Sequence, residues 1–273
     1  MVPKLRDLHG LDDFARVSAL EAEIWGSRED VVPAVVFAAV VPRGAVLVGA
    51  HDDDELVGFT FSLPAISHGR LIHWSHVTGV SAAYRGTGIG MALKLAQRTR
   101  VQAMGIDRID WTFDPLQAAN AHFSVRRLGA VVEHYEVNVY GELVNPLHGG
   151  LPTDRFVAQW WIDSPAVRAR VDGDSTASGL AVDSAPLVNP VTEAGGWMVC
   201  DWDAEPLSAQ SRLRVAVPGR FTEMLASAPD IALKWRLSTR RLFQALLARH
   251  YRVVDFARAT TGGGAYVFEQ QVE

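Results

Sequence analysis

The sequence predicts an α+β protein whose mixed, α/β-type sheet is flanked by helices, and three observations carry that prediction. β-branched runs with period-two patterning alternate with segments whose apolar residues recur at helical spacing. One such run ends at Val80, passes through Ser81-Ala82-Ala83-Tyr84-Arg85-Gly86-Thr87-Gly88 and enters an apolar-periodic segment over 89–103, which reads as strand, tight turn, helix. With 273 residues and 48% hydrophobic side chains, the chain can fill more than one core.

Each element has its own signal. Over 11–25, Phe14, Val17, Leu20 and Ile24 recur at helical spacing, and Asp12 and Asp13 suit the positive end of a helix dipole. A second helix is expected over 32–41. Strands over 44–50 and 55–62 form a hairpin across the acidic turn His51-Asp52-Asp53-Asp54, and a strand over 71–80 feeds the glycine turn. A strand over 108–113, a helix over 116–128 stopped by Gly129, and strands over 131–140 and 155–162 follow. Beyond Ser164 the texture changes. Residues 172–184 are rich in Gly, Ser, Ala and Asp, which predicts an irregular connection. Strands are then expected over 197–202 and 213–217, a short helix after Pro218, a long amphipathic helix over 230–248, and a closing hairpin over 251–257 and 265–269. The expected boundaries are a domain over 1–164, a linker over 165–184 and an α+β module over 185–273.

Composition narrows the function. A formal net charge of -5 gives no electrostatic reason for a nucleic acid or an anionic membrane as partner, so a small molecule is the default. The single cysteine, Cys200, cannot form an internal disulfide and sits in the apolar run Trp197-Met198-Val199-Cys200, which suits buried packing in a reducing cytoplasm. The first residues lack the apolar core of a signal peptide, and the apolar stretch over 31–41 contains Pro33 and is too short to span a bilayer; a soluble, cytoplasmic protein is expected. Asp52, Asp53 and Asp54 read as a solvated turn and not a metal site, because no further ligands recur at fixed spacing.

The glycine turn carries the chemistry. Amides left unpaired at a helix N-terminus point outward together and the helix dipole adds partial positive charge, so a pyrophosphate can bind there, with glycines allowing its close approach. A dinucleotide fingerprint is excluded because Met91 stands where its last glycine belongs, and a P-loop because no Gly-Lys-Ser/Thr closes the turn. What fits is Arg/Gln-x-x-Gly-x-Gly/Ala, filled by Arg85, Gly88 and Gly90 and led by Val80 and Tyr84.

This pattern resembles the acyl-CoA-binding motif of the GNAT superfamily of N-acyltransferases, and the element order over 3–164 is similar to that fold. The resemblance implies a sheet that splays between the strand before the turn and the strand after its helix, with the pantetheine arm of CoA in the gap. It also implies CoA contacts at Thr78, Gly79, Val80, Arg85, Gly86, Thr87, Gly88, Ile89 and Gly90. The family asparagine near the start of the next helix is displaced: Ala118 occupies its usual place and Asn120 comes two residues later. The runs Trp111-Thr112-Phe113-Asp114-Pro115-Leu116-Gln117, Asn120-Ala121-His122-Phe123 and Gly150-Leu151-Pro152-Thr153-Asp154-Arg155 look like a less-characterised group of predicted acyltransferases.

The reaction so implied is attack of an amine on a thioester carbonyl within a ternary complex, which needs a neutral amine, a stabilised oxyanion and a leaving thiol. His76, placed by period two on the face of Trp74, Thr78 and Val80, is either the base or a core histidine. Asp114 is either a second base or the cap of the following helix. Many family members carry a tyrosine acid four residues before the glycine that ends this helix; here that place is Val125, leaving Tyr135, Tyr140 or a water to serve. Arg155 either binds an acceptor carboxylate or belongs to a structural Asp-Arg pair with other partners.

The C-terminal pattern of strand, helix, strand, strand resembles half a GNAT domain without a second glycine turn. It implies a supporting or homodimerising module. Lys234, Arg236, Arg240, Arg241 and Arg249 on its long helix form a solvated face or line the acceptor site. Two functions are then open: transfer of an acetyl or short acyl group from acyl-CoA, without a metal, to a small-molecule amine such as an amino acid, or catalytically weak sensing of acyl-CoA.

Overall fold

A computed structural model describes residues 3–26, 31–141, 150–171, 185–205, 210–260 and 262–271. The chain divides into two units, Met1–Trp111 and Thr112–Glu273. Residues 172–184, expected to be irregular, lie outside the described residues.

The first unit contains β1 (Lys4–Asp7), α1 (Gly10–Trp25), α2 (Ala34–Val40), β2 (Val46–Asp52), β3 (Glu55–Ser67), β4 (Arg70–Val80), α3 (Ile89–Ala103) and β5 (Arg108–Phe113), whose last two residues fall in the second unit. Its strands lie in the order β1-β2-β3-β4-β5, antiparallel except that β5 runs parallel to β4. β1 was not expected; its Lys-Leu-Arg-Asp sequence has no strand pattern, and its pairing with β2 defines it. On one face of the sheet, α1 and α2 bury Phe14, Val17, Leu20 and Phe37 against Phe59 and Phe61. The Phe37 and Phe61 rings meet edge-on at 4.9 Å. Helix α3 covers the other face through Ile89, Leu93 and Val101.

Two irregularities shape the sheet. Between Phe61 and Ser62 of β3 the partner on β4 jumps from Val77 to Ser75, so His76 is the extra residue of a β-bulge. The pairing of β4 with β5 comprises His73 with Ile109 and Trp74 with Asp110. Past Trp74, therefore, no strand among the described residues pairs with β4 on the side away from β3. This fork is the splay that the family resemblance implies.

The second unit contains α4 (Ala118–Ala121), β6 (Val131–Glu136), β7 (Arg155–Trp161), α5 (Pro165–Val171), β8 (Val191–Ala194), β9 (Trp197–Cys200), β10 (Arg212–Val217), α6 (Phe221–Ser227), α7 (Pro229–Leu247), β11 (Tyr251–Arg258) and β12 (Gly264–Gln270). Helix α4 runs on as a π-helical stretch over His122–Arg127, and Gly129, at φ 78°, ends it as expected. α5 occupies the start of the expected linker, and β8 pairs with β9 in a separate ribbon.

The main strands of this unit lie in the order β7-β6-β11-β12-β10. The hairpin β6–β7 and the hairpin β11–β12 meet through the antiparallel pair of Val132 and Val253. They repeat one another in detail. Each first strand follows a residue of positive φ three positions before that valine, Gly129 or His250, and each carries a bulge directly after it, at Val132/His134 or Val253/Asp255. A two-fold-like duplication therefore underlies the half-domain pattern. An aromatic core closes around it, with Phe156 at 4.7 Å from Phe243 and 5.2 Å from Tyr266. The fold class is thus α+β with a mixed sheet, as predicted.

Candidate functional site

Alternation along β4 decides which groups face the fork. The Ser81 amide donates to the Val57 carbonyl of β3 at 2.9 Å, so with period two the amides of Gly79 and Val77 also face β3. Thr78 and Val80 then direct N–H and C=O away from β3, toward the open side. Their side chains lie on the α3 face. A Cβ built on Gly58, the partner of Val80, would meet Ile89 and Leu93 of α3, and Thr78 Oγ1 lies 2.7 Å from Thr60 Oγ1 on the same face.

The turn after β4 is built to hold an anion. Tyr84 anchors it by donating to Asp52 at 2.8 Å, and Thr87 Oγ1 donates to the Tyr84 carbonyl at 2.7 Å. Gly86 at φ 80° and Gly88 at φ 94° take the left-handed backbone that suits glycine, and a Cβ on either would point into open space. Gly88 is the N-cap residue of α3, with no described side chain capping the helix and no acidic residue in its first turn. The amides of Ile89, Gly90 and Met91 therefore face outward without an intrahelical partner; Ala92 is the first to bond back, to Gly88 at 3.1 Å. Exposed Arg85 adds a full positive charge beside them. Gly79 has a further duty, because a Cβ there would come within 2.7 Å of Trp25 and 2.9 Å of Ile24. Its lack of a side chain lets α1 approach β4.

His76 does not share a face with Thr78 and Val80 as period two implied. The bulge turns it to the α1 and α2 side, where its ring stands edge-on to Phe61 at 6.0 Å. It keeps solvent exposure, and desolvation lowers its pKa from the ordinary histidine value, so the imidazole is neutral near pH 7. That is the form able to accept a proton.

Sequence reasoning missed Lys94. Spacing placed it in an apolar-periodic helix, and it is buried at 3% exposure on the sheet-facing side of α3. Its ammonium donates to Ser75 Oγ at 3.0 Å and to Gln97 Oε1 at 2.7 Å, and lies 4.1 Å from the centre of the Trp111 ring. Ser75 and Trp111 are the residues next after the last paired residues Trp74 and Asp110. Lys94 thus fills the vertex of the fork. Desolvation lowers its pKa to about 7.

The other expected site residues belong to the second unit, where several are already engaged. Buried Asp114 forms a two-pronged ion pair with Arg236, both bonds 2.8 Å, and its Oδ1 also accepts from the Leu116 amide at 2.9 Å. The helix after it starts at Ala118, so Asp114 makes a local turn and an ion pair where a base or a helix cap was expected. Arg240 likewise grips buried Asp154 with two bonds of 2.8 Å, and Tyr135 donates to the same carboxylate at 2.5 Å. Arg236 and Arg240 are therefore internal partners of carboxylates, neither a solvated face nor acceptor ligands. Tyr135 is held away from acid duty, its pKa raised by burial and by Asp154. Tyr140 is exposed, its ring 5.1 Å from the Arg155 guanidinium, and Asn120 is exposed on α4. Arg155 is thus near an aromatic face and Asp154 pairs elsewhere. Cys200 is buried, which raises its pKa to about 11. Among the described residues, no three His, Cys, Asp or Glu side chains gather as a metal site would, and no helix is long and apolar enough to cross a membrane.

No family model matches the chain, and no curated protein matches it. Among solved structures it is similar to YncA of Salmonella typhimurium with its cofactor acetyl-CoA, at 16% identity over 60% of this chain and 96% of that one, with a TM-score of 0.48. It is similar to the NatC complex bound to Gag peptide and CoA at 16% identity, 58% and 98% coverage and a TM-score of 0.47. Aminoglycoside 6'-acetyltransferase type Ii gives 19%, 59% and 98%, and 0.46. Function is read from the fork and the turn of this chain, not from likeness at this level.

Proposed function

We propose that this chain is a GNAT-type, acyl-CoA-dependent N-acyltransferase that moves an acetyl or short acyl group directly onto the amine of a small molecule, in the cytoplasm. One observation carries the reading: β4 parts from β5 after Trp74 and runs, past outward-facing Thr78 and Val80, into a left-handed glycine turn and the uncapped N-terminus of α3. An extended chain with amide groups fits along the open edge as a strand would, and its diphosphate fits the amides of Ile89, Gly90 and Met91 beside Arg85. Pantetheine diphosphate has both parts. Outward-directed backbone N–H groups in the fork also supply donors to a thioester oxygen as it gains charge. Neutral His76, on the opposite face of the strand, takes a proton from the acceptor ammonium directly or through water.

The test is a thermal shift followed by turnover. CoA at 100 times its dissociation constant adds about 2.7 kcal/mol to the stability of the folded chain. Acetyl-CoA then releases thiol in the presence of an accepting amine from a panel of amino acids and small amines. Absence of both shift and calorimetric heat at millimolar CoA overturns the reading; a shift without turnover assigns the chain as a sensor.

A further inference from the structure

The proposed reaction needs a proton for its leaving sulfur, and the usual helix position holds buried Val125, which has none to give. Tyr135 is committed to Asp154, and Tyr140 lies on the exposed segment beside Arg155. The vertex of the fork offers another donor. Ser75, Lys94, Gln97 and Trp111 meet there, the first and last being the residues at which the two parallel strands separate. A chain whose diphosphate lies at the turn and whose arm runs back along β4 brings its far end toward this vertex.

We propose that Lys94 is a catalytic acid, handing an Nζ proton to the sulfur of coenzyme A as the acyl group leaves. This rests on the acyltransferase reading above. Atoms and electrons balance in that step. The acceptor nitrogen forms a bond to the carbonyl carbon, the carbon–sulfur bond breaks with its electron pair going to sulfur, and sulfur takes the proton from Lys94. The proton shed by the acceptor nitrogen passes to His76 or water, and Lys94, left neutral, regains a proton from solvent once CoA departs.

The surroundings suit such a donor. Ser75 Oγ, Gln97 Oε1 and the indole face hold the ammonium in place without taking its proton, and burial poises it near neutral pH, where an acid–base group works best. Transfer to a thiolate, whose conjugate acid has a pKa of about 8.5, then runs downhill. His73 of β4 shares the α3 face, bonded to Ser62 at 2.9 Å, and desolvation lowers its pKa to about 4, which keeps it neutral. On β5, Asp110 is paired with Arg108 at 2.8 Å.

The experiment compares Lys94→Met and Lys94→Arg with the parent protein. Both variants are expected to bind CoA within about threefold of the parent. Lys94→Met is expected to lose about 100-fold in kcat, the low end for an acid serving a good leaving group, together with the fall of kcat at alkaline pH. Lys94→Arg keeps the charge but not the transferable proton and is expected to stay impaired. A second measurement needs no variant: the thiolate absorbance of bound CoA should rise at no lower pH than that of free CoA, because Lys94 gives up its proton before the thiol does. Unchanged kcat and alkaline limb in Lys94→Met, or a bound thiolate that forms at lower pH than free CoA beside a retained ammonium, overturns the proposal while leaving the transferase reading intact. A parent protein that binds no CoA removes both.

Discussion

At the scale of single residues, burying Lys94 costs stability, and the cost depends on pH. Its folded pKa of about 7 lies below the 10.5 of an ordinary lysine, so between these values the unfolded chain binds the extra proton. Unfolding free energy therefore rises with pH across that window, and the penalty is full at and below pH 7. Lys94→Met removes the penalty but takes from buried Gln97 Oε1 its lysine donor, while Gln97 Nε2 still donates to Ser75 Oγ at 3.1 Å. The expected gain is about 1–3 kcal/mol at pH 7 after allowing for two lost hydrogen bonds, shrinking toward zero near pH 10. Urea unfolding of parent and variant at the two pH values checks it. A variant less stable than the parent at pH 7 means that the ammonium is stabilised by more than its hydroxyl, amide and indole contacts. The gain would come from the residue assigned a catalytic proton, a stability cost carried for function.

At the scale of elements, the turn between β4 and α3 offers a controlled comparison. Gly88 and Gly105 bracket α3, at φ 94° and 74°, and a Cβ on either meets nothing within 4 Å. Alanine at each position therefore costs stability through backbone strain alone, about 1–2 kcal/mol. Only Gly88 stands beside the amides assigned to the diphosphate. Gly88→Ala is expected to weaken CoA binding about tenfold or more, and Gly105→Ala to leave it unchanged, as calorimetry would show. Equal losses would mean that strain, transmitted through the helix, is the cause. This turn was legible in the sequence because arginine and glycine spacing states its geometry directly, and the bounds of α3 and β5 were read correctly from periodicity. The bulge at His76 was not. An inserted strand residue leaves no mark on composition, yet it inverts the faces of everything beyond it. Lys94 was hidden for a related reason: helical spacing says which side of α3 faces the sheet, but a long cationic side chain reads as solvated until its partners are placed.

At the scale of the whole chain, the residues that the family resemblance assigns to one domain are shared between two units. The expected boundary at residue 164 falls inside the second of these. Segments on both sides of that boundary complete one core. Val132 of β6 pairs with Val253 of β11, the Phe156 ring packs on Phe243 and Tyr266, and Asp114 and Asp154 hold Arg236 and Arg240 of α7. Sequence showed the repeated half-domain pattern but not that its two copies meet strand to strand, since pairing partners far apart in the chain carry no local signal. A fragment ending at residue 171 would expose one edge of β6, open the aromatic core and strand two buried carboxylates. Removing one partner of a single buried pair already costs about 3–5 kcal/mol, comparable with much of a domain's net stability. The fragment is therefore expected to show no cooperative unfolding of β6 and β7, even though it contains every residue of both strands. Near-ultraviolet circular dichroism and urea titration of the fragment against the full chain decide the point. A fragment with native aromatic signals and a cooperative transition would show that β6 and β7 do not need the C-terminal half. Failure to fold would make it the second half of the core that holds β6 and β7.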